Sequence, residues 1–334
     1  MSLFHVIGRD AALEAVRGSS AQYIDAVAEA YILHAQGLGE NPPSRFLRIP
    51  NREADRAIAL PAYLGSDRNV WGLKWISSVP NNVPRGIPRA SGVVILNDGD
   101  TGVPFACVDA SVVNAVRTAA SAAIAAKLLS PRSRTDRVLG IVGAGYIAES
   151  VTRYLIADGW EFEQVRVFDL NAERMSRWQR DAPSNQQVAM CSTPEAAVDE
   201  ADVVILATTA SAPYLHSLRG APLVLHLSLR DIGVGVIASA QNVVDDVDMA
   251  VSESTSLHLA EIALHHRKFV DGTIVDLMTG IIQPDTTRPR IFSPFGMGIL
   301  DIAVAHEIYR HALARGSSLA VSDFCGNPAS DATI

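Results

Sequence analysis

Arg137-Val-Leu-Gly-Ile-Val-Gly-Ala-Gly-Tyr-Ile-Ala148 is the stretch that decides the fold: an apolar run leading straight into Gly143-Ala144-Gly145-Tyr146-Ile147-Ala148, a turn of the form GxGxxA. Glycines at a strand-to-helix turn let backbone approach a pyrophosphate, whose charge is then met by the free N–H groups and dipole of the helix start. Downstream, Glu149 to Ile156 carries Val151, Tyr154 and Leu155 at helical spacing, and a second apolar run, Gln164 to Phe168, ends at Asp169. A carboxylate there accepts hydrogen bonds from ribose hydroxyls and repels a 2′-phosphate, so NAD is expected over NADP. Arg166 and Arg174 nearby pull the other way. The bland alternative is a tight turn of an α/β domain that holds no nucleotide.

Beyond this unit the same rhythm continues. Val203 to Ala207, Leu223 to Leu227 and Val243 to Val244 are apolar strand-like runs separated by helical stretches. Such alternation predicts an α/β, Rossmann-type doubly wound parallel sheet. The run ending at Ala207 leads into Thr208-Thr209-Ala210, whose hydroxyls either contact a cofactor or cap the next turn. Upstream, residues 11 to 38 read as two amphipathic helices stopped by Gly37 and Gly39. Residues 45 to 108 switch to short strands, Ala57 to Leu60, Val70 to Ile76, Val93 to Asn97 and Pro104 to Val108, expected to form a small, mainly antiparallel sheet. Ser111 to Leu129 is an alanine-rich helix ended by Ser130-Pro131, and Ile299 to Ala314 is a helix able to return to the first domain. The expected division is an α+β substrate-binding and dimerisation domain over 1–129, joined by 301–334, and a nucleotide-binding domain over 130–300.

Composition narrows the function. The 334 residues are 48% hydrophobic and 19% charged with a formal net charge of −8, so bulk attraction to nucleic acid or an anionic membrane is not expected. Cys107, Cys191 and Cys325 lack the spacing of a zinc site or redox pair, and no metal site is expected. No basic region followed by an apolar run stands near Met1, and no apolar run reaches about 18 residues, which predicts a cytoplasmic protein.

The charged residues in unusual settings carry the chemistry. Lys74 interrupts the apolar run Val70 to Ile76, where a charge is costly without a partner or a cleft. Arg117 stands in an alanine-rich helix and offers a guanidinium fork suited to a carboxylate. The ordinary reading of each is a salt bridge or a snorkelling surface chain. His226-Leu-Ser-Leu-Arg-Asp-Ile232 places Ser228 and Asp231 at a strand end, where Asp231 either exchanges protons with an amine or a water, caps a helix or pairs with Arg230.

Gly72-Leu-Lys-Trp75, Asn97 to Pro104, Val116-Arg-Thr-Ala-Ala120, the glycine turn and Phe295-Gly-Met-Gly-Ile-Leu-Asp301 together resemble the ornithine cyclodeaminase and mu-crystallin family. The resemblance implies a homodimer whose first domain binds a small amino-acid substrate. It also implies Arg45, Lys74 and Arg117 on the substrate α-carboxylate, and Asp231 as acid/base with Lys74 assisting. Thr118, Ser228 and Met297, which lie in the matching motifs, join Gly143, Ala144, Gly145, Tyr146, Ile147, Asp169, Thr208 and Thr209 as expected cofactor contacts. Cyclodeaminases of the family carry a glutamate just ahead of the proline matching Pro61, where this chain has Leu60. Pro88-Arg-Ala-Ser-Gly92 and Leu227 to Ile232 are instead similar to the branch that oxidatively cleaves an aminocarboxyethyl-glutamate conjugate to 2,3-diaminopropionate. Arg89, and Arg85 beside it, add cations that a substrate with three carboxylates would use. A cyclodeaminase, an imino-acid reductase and a non-catalytic binding protein are the alternatives within the same resemblance.

Overall fold

Alternating and continuous apolar runs sort the chain into two sheets of different kind. The computed structural model describes residues 3–130, 134–135, 137–184 and 186–324, so Pro131, Cys325 and the end of the expected returning segment lie outside the described residues. Two compact units emerge, residues 1–117 with 297–334 and residues 118–296. The division falls inside the alanine-rich helix and just ahead of the last one, not at Leu129 and Asp301.

The first unit holds β1 (Phe4–Ile7), α1 (Arg9–Val16), α2 (Ser20–Ala35), β2 (Gly39–Glu40), β3 (Arg45–Ile49), β4 (Arg52–Leu64), β5 (Val70–Ser78), β6 (Ala90–Asp98) and β7 (Pro104–Asp109). The helix α3 (Ala110–Leu129) leaves it, and α11 (Gly298–Ala314) with β16 (Leu319–Val321) return to it. Its eight-stranded sheet runs β16-β1-β7-β6-β5-β4-β2, with β3 on β4. The core of that sheet is the antiparallel meander β3 to β7. Strict alternation along β5 buries Val70, Gly72, Lys74, Ile76 and Ser78 on one face and leaves Trp71 and Trp75 exposed on the other. The first strand, absent from the sequence reading, is a short parallel partner of β7.

The second unit contains β8 (Arg137–Val142), α4 (Tyr146–Ala157), β9 (Phe162–Phe168), α5 (Ala172–Arg180), β10 (Gln187–Met190), α6 (Pro194–Val198), β11 (Val203–Leu206) and β12 (Leu223–His226). It continues with α7 (Val234–Ser239), β13 (Gln241–Val244), α8 (Val247–Ala250), α9 (Ser256–Leu264), β14 (Val270–Thr273), α10 (Ile274–Met278) and β15 (Arg290–Phe292). Its eight strands run β10-β9-β8-β11-β12-β15-β13-β14, every neighbouring pair parallel. The strand β11 is fully buried, as expected of a parallel sheet covered on both faces. The chain winds outward from β8 through β9 to β10, then returns to β11 on the other side of β8. This reversal creates the crevice at the carboxyl ends of the strands where such sheets take ligands.

By length and mean composition α3 is apolar enough to cross a membrane, although Asn114, Arg117 and Lys127 interrupt its apolar residues. Yet 78% of its apolar window is buried, as in a core helix.

Candidate functional site

At the switch point of the second unit, Gly143 adopts φ +89°. A Cβ there would meet the Ala207 carbonyl oxygen at 2.5 Å, so only glycine permits β8 and β11 to end side by side. Gly145 is different. It is the extended N-cap of α4 with no side-chain cap, and a Cβ built on it meets nothing within 4 Å. The first N–H groups of α4 thus open onto unfilled space, which fits a pyrophosphate. Ala144, Tyr146 and Ile147 complete this turn. Asp169 directly follows β9, its carboxylate accepting the Ala144 N–H at 2.8 Å and the Asn171 N–H at 2.8 Å. Arg174 lies 3.6 Å from that carboxylate, a loose pair that weakens its own availability for a 2′-phosphate. Arg166 points elsewhere, donating to Gln164 and to the Asp199 carbonyl. The two arginines that argued for NADP are therefore both engaged.

The strand-end loops of the same unit converge on Asp231, which is fully buried. Its carboxylate accepts from Thr208 and Ser228, from Tyr214 Oη at 2.9 Å, and contacts His226 Nε2 at 3.2 Å. His226 is held in turn by Ser293 Oγ at 2.9 Å from Nδ1. Burial would raise the Asp231 pKa, but the hydrogen bond and charge of His226, with Ser228 and Thr208, outweigh it and bring it to about 2. Such a carboxylate is a weak base at neutral pH. Its geometry is that of an anionic hub fixing hydroxyls. Arg230, offered as its partner, donates instead to the carbonyls of Glu253 and Ser254. Thr209 is exposed, and Thr118 is buried in α3. A second buried acid, Asp245, accepts the N–H groups of Phe295 at 2.9 Å and Gly296 at 2.7 Å, in a turn where Gly296 adopts φ +102°.

In the first unit, Lys74 is as buried as any apolar neighbour. Its ammonium sits 2.6 Å from Asp301 Oδ2, with side-chain exposures of 2% and 0%. Arg117 Nε lies 3.4 Å from Asp301 Oδ1, and its Nη2 donates to Asn114 Oδ1 at 2.8 Å. Lys74 reaches the same Asn114 oxygen at 3.3 Å. Two cations thus share one carboxylate, leaving a net positive charge that a substrate carboxylate would neutralise. Burial lowers the Lys74 pKa to about 8, with Arg117 adding to the fall and Asp301 opposing it. Asp301 and Asn114 were missed in the sequence. The signal was there for Asp301: a carboxylate among Ile299, Leu300 and Ile302, all buried, requires a cation.

The remaining cations do not join this cluster. Arg45 pairs with Ala59, which pairs with Trp75, whereas Lys74 pairs with Leu60. Directly opposed residues share a face, so Arg45 and Lys74 lie on opposite faces of the sheet, and Arg45 is exposed. Its expected role beside Lys74 is not supported. Arg89 donates to Ser78 Oγ at 2.8 Å, four residues along β5 from Lys74, and Arg85 is exposed on a 3₁₀ turn. Met297 is buried at the start of α11. No group of three metal-ligating side chains occurs among the described residues, and Cys107 and Cys191 are free thiols.

Comparison with known proteins bears on the family and the fold. N-((2S)-2-amino-2-carboxyethyl)-L-glutamate dehydrogenase of Staphylococcus aureus is 32% identical over 90% of this chain and 93% of that protein. Alanine dehydrogenase of Archaeoglobus fulgidus is 27% identical over 87% of this chain and 90% of its own length. Among solved structures, Thermococcus litoralis Δ1-pyrroline-2-carboxylate reductase, in complex with NADH and L-proline, shares the fold with a TM-score of 0.88 at 20% identity. That match covers 95% of this chain and 100% of the reductase. The sequence profile of one family matches residues 7–316, nearly the whole of both units. The chain belongs to the ornithine cyclodeaminase/mu-crystallin family.

Proposed function

We propose that the chain is an NAD-dependent amino-acid dehydrogenase that cleaves N-(2-amino-2-carboxyethyl)-L-glutamate to L-2,3-diaminopropionate and 2-oxoglutarate. The observation that carries this reading is the buried Lys74–Asp301–Arg117 cluster, with its surplus positive charge beside an amine of lowered pKa. The open turn at Gly145 and the acid at Asp169 support the cofactor. NAD⁺, when bound, supplies the hydride acceptor. Arg117 holds the α-carboxylate of the glutamate moiety. Lys74, neutral in a substantial fraction of molecules near pH 8, accepts the N–H proton as the hydride leaves the α-carbon and the C=N bond forms. Water then adds to the imine carbon, the C–N bond breaks, and Lys74 returns its proton to the departing amine. Asp231 stays ionised throughout and keeps Thr208, Tyr214 and Ser228 in place.

Leu60 supports the branch. It stands directly opposite Lys74 in the ladder and is buried, so that position offers no carboxylate to the second amine of a diamine substrate. The exposed sheet face bearing Leu47, Trp71, Trp75 and Val93 supports a homodimer, because an apolar patch of this kind is rarely left in water. The purified protein with NAD⁺ and the conjugate should accumulate NADH and 2-oxoglutarate in equal amounts, while ornithine yields neither. Ammonia and proline from ornithine, with no NADH from the conjugate, would overturn the assignment.

A further inference from the structure

Ser78 lies on the buried face of β5, four residues beyond Lys74, and its register partner on β4 is Arg56. Arg56 in turn stands opposite Arg48 on β3. Like charges directly opposed in an antiparallel ladder destabilise it. Arg89 nevertheless brings a further guanidinium to the same place through its 2.8 Å hydrogen bond to Ser78 Oγ. Arg48 and Arg56 make other contacts as well, so the weight falls on Arg89. Its hydrogen bond goes to a neutral hydroxyl, and among the described residues no carboxylate pairs with it. Burial, and then the charge of Arg56, hold its pKa below the ordinary arginine value. A half-buried cation in these surroundings is costly until an anion joins it.

The geometry points to a second carboxylate subsite at Arg56, Ser78 and Arg89, which receives the substrate carboxylate remote from the reacting carbon and selects acidic amino-acid derivatives over neutral ones. It rests on the reading above, in which Arg117 takes the α-carboxylate near Lys74. Four residues of strand separate Lys74 from Ser78, about 13 Å between Cα atoms. Lysine and arginine chains each span part of that distance, leaving a gap suited to the five-carbon diacid of a glutamyl group. Alanine and proline have no group to place there.

The test uses the full chain saturated with NADH and compares calorimetric binding of glutarate with that of pentanoate, its five-carbon monocarboxylate counterpart, at constant ionic strength. The native protein should prefer glutarate by at least about tenfold, as a charge-assisted pair at the second carboxylate requires. Arg89→Met should reduce that preference to below about threefold, with Arg89→Lys between the two. Ser78→Ala, a small change confirmed folded by circular dichroism, should weaken glutarate more than pentanoate. Equal affinity of the native protein for both acids overturns the subsite, as does a preference that survives in both Arg89→Met and Ser78→Ala. A glutarate preference lost in Arg89→Met supports the subsite even where the conjugate is not oxidised, an outcome that overturns the proposed reaction alone. Oxidation of the conjugate by a protein indifferent to the second carboxylate overturns the subsite alone.

Discussion

Replacing Asp301 by asparagine preserves shape and removes the carboxylate that Lys74 and Arg117 share. The native contacts are 2.6 Å to Lys74 and 3.4 Å to Arg117, with the acid fully buried. Breaking a buried pair by deleting one partner costs about 3–5 kcal/mol, since the other charge is left without compensation. Lys74 can relieve part of that cost by releasing its proton. In the native protein its fall from 10.5 to about 8 already corresponds to roughly 3 kcal/mol. The folded value is below that of the unfolded chain, so the unfolded chain binds the extra proton between the two. The penalty is complete below about pH 8 and fades as pH rises towards 10.5. Without Asp301, which holds the value up, the Lys74 pKa falls further and the amine gives up its proton at lower pH than in the native protein. Urea unfolding should therefore show Asp301→Asn less stable than the native protein by at least about 2 kcal/mol at pH 7. The gap should narrow at about pH 9.5, where Lys74 is neutral in both folded proteins and only the Arg117 pair is lost. A difference under about 0.5 kcal/mol at pH 7, or one identical at both pH values, would refute the reasoning.

Other expectations follow from the same geometry. Lys74→Met should lower turnover by about a hundredfold or more and abolish the rise in kcat/KM centred near pH 8 that the native amine gives as it loses its proton; an unchanged pH profile excludes Lys74 from proton transfer. Gly143→Ala should cost about 1–3 kcal/mol in thermal unfolding, from positive φ and the Ala207 carbonyl. Gly145→Ala should unfold like the native protein yet lose NADH fluorescence titration, because its Cβ enters only the space reserved for the pyrophosphate. Asp169→Ser should raise the ratio of NADP⁺ to NAD⁺ in kcat/KM by at least about tenfold as Arg174 becomes available to a 2′-phosphate.

The glycine turn was legible because its requirements are local: a positive φ at Gly143, an apolar strand before it and a periodic helix after it. The same holds for β5 and for α3, whose burial patterns are written in neighbouring residues. Short strands such as β1, β10 and β15 were not legible, since pairing with distant segments rather than intrinsic pattern makes them strands. Among the site residues, Lys74 and Arg117 stood out as charges in apolar surroundings, while Arg45 was misplaced because its sheet face depends on the register with β4. Asp231 was found but misjudged: His226 at a strand end and the hydroxyls of Ser228 and Thr208 set its acidity against its burial, and of these Thr208 lies far from it in sequence. Arg56 was passed over for a related reason, for its significance comes from standing opposite Ser78.

The most direct measurement of the chemistry follows the hydride itself. The conjugate is labelled with deuterium at the α-carbon of its glutamate moiety, incubated with the enzyme and NAD⁺, and the reduced cofactor is analysed by mass spectrometry. Reduced cofactor carrying one deuterium, with 2-oxoglutarate as co-product, is the expected result; unlabelled NADH, or none at all, would contradict oxidation at that carbon.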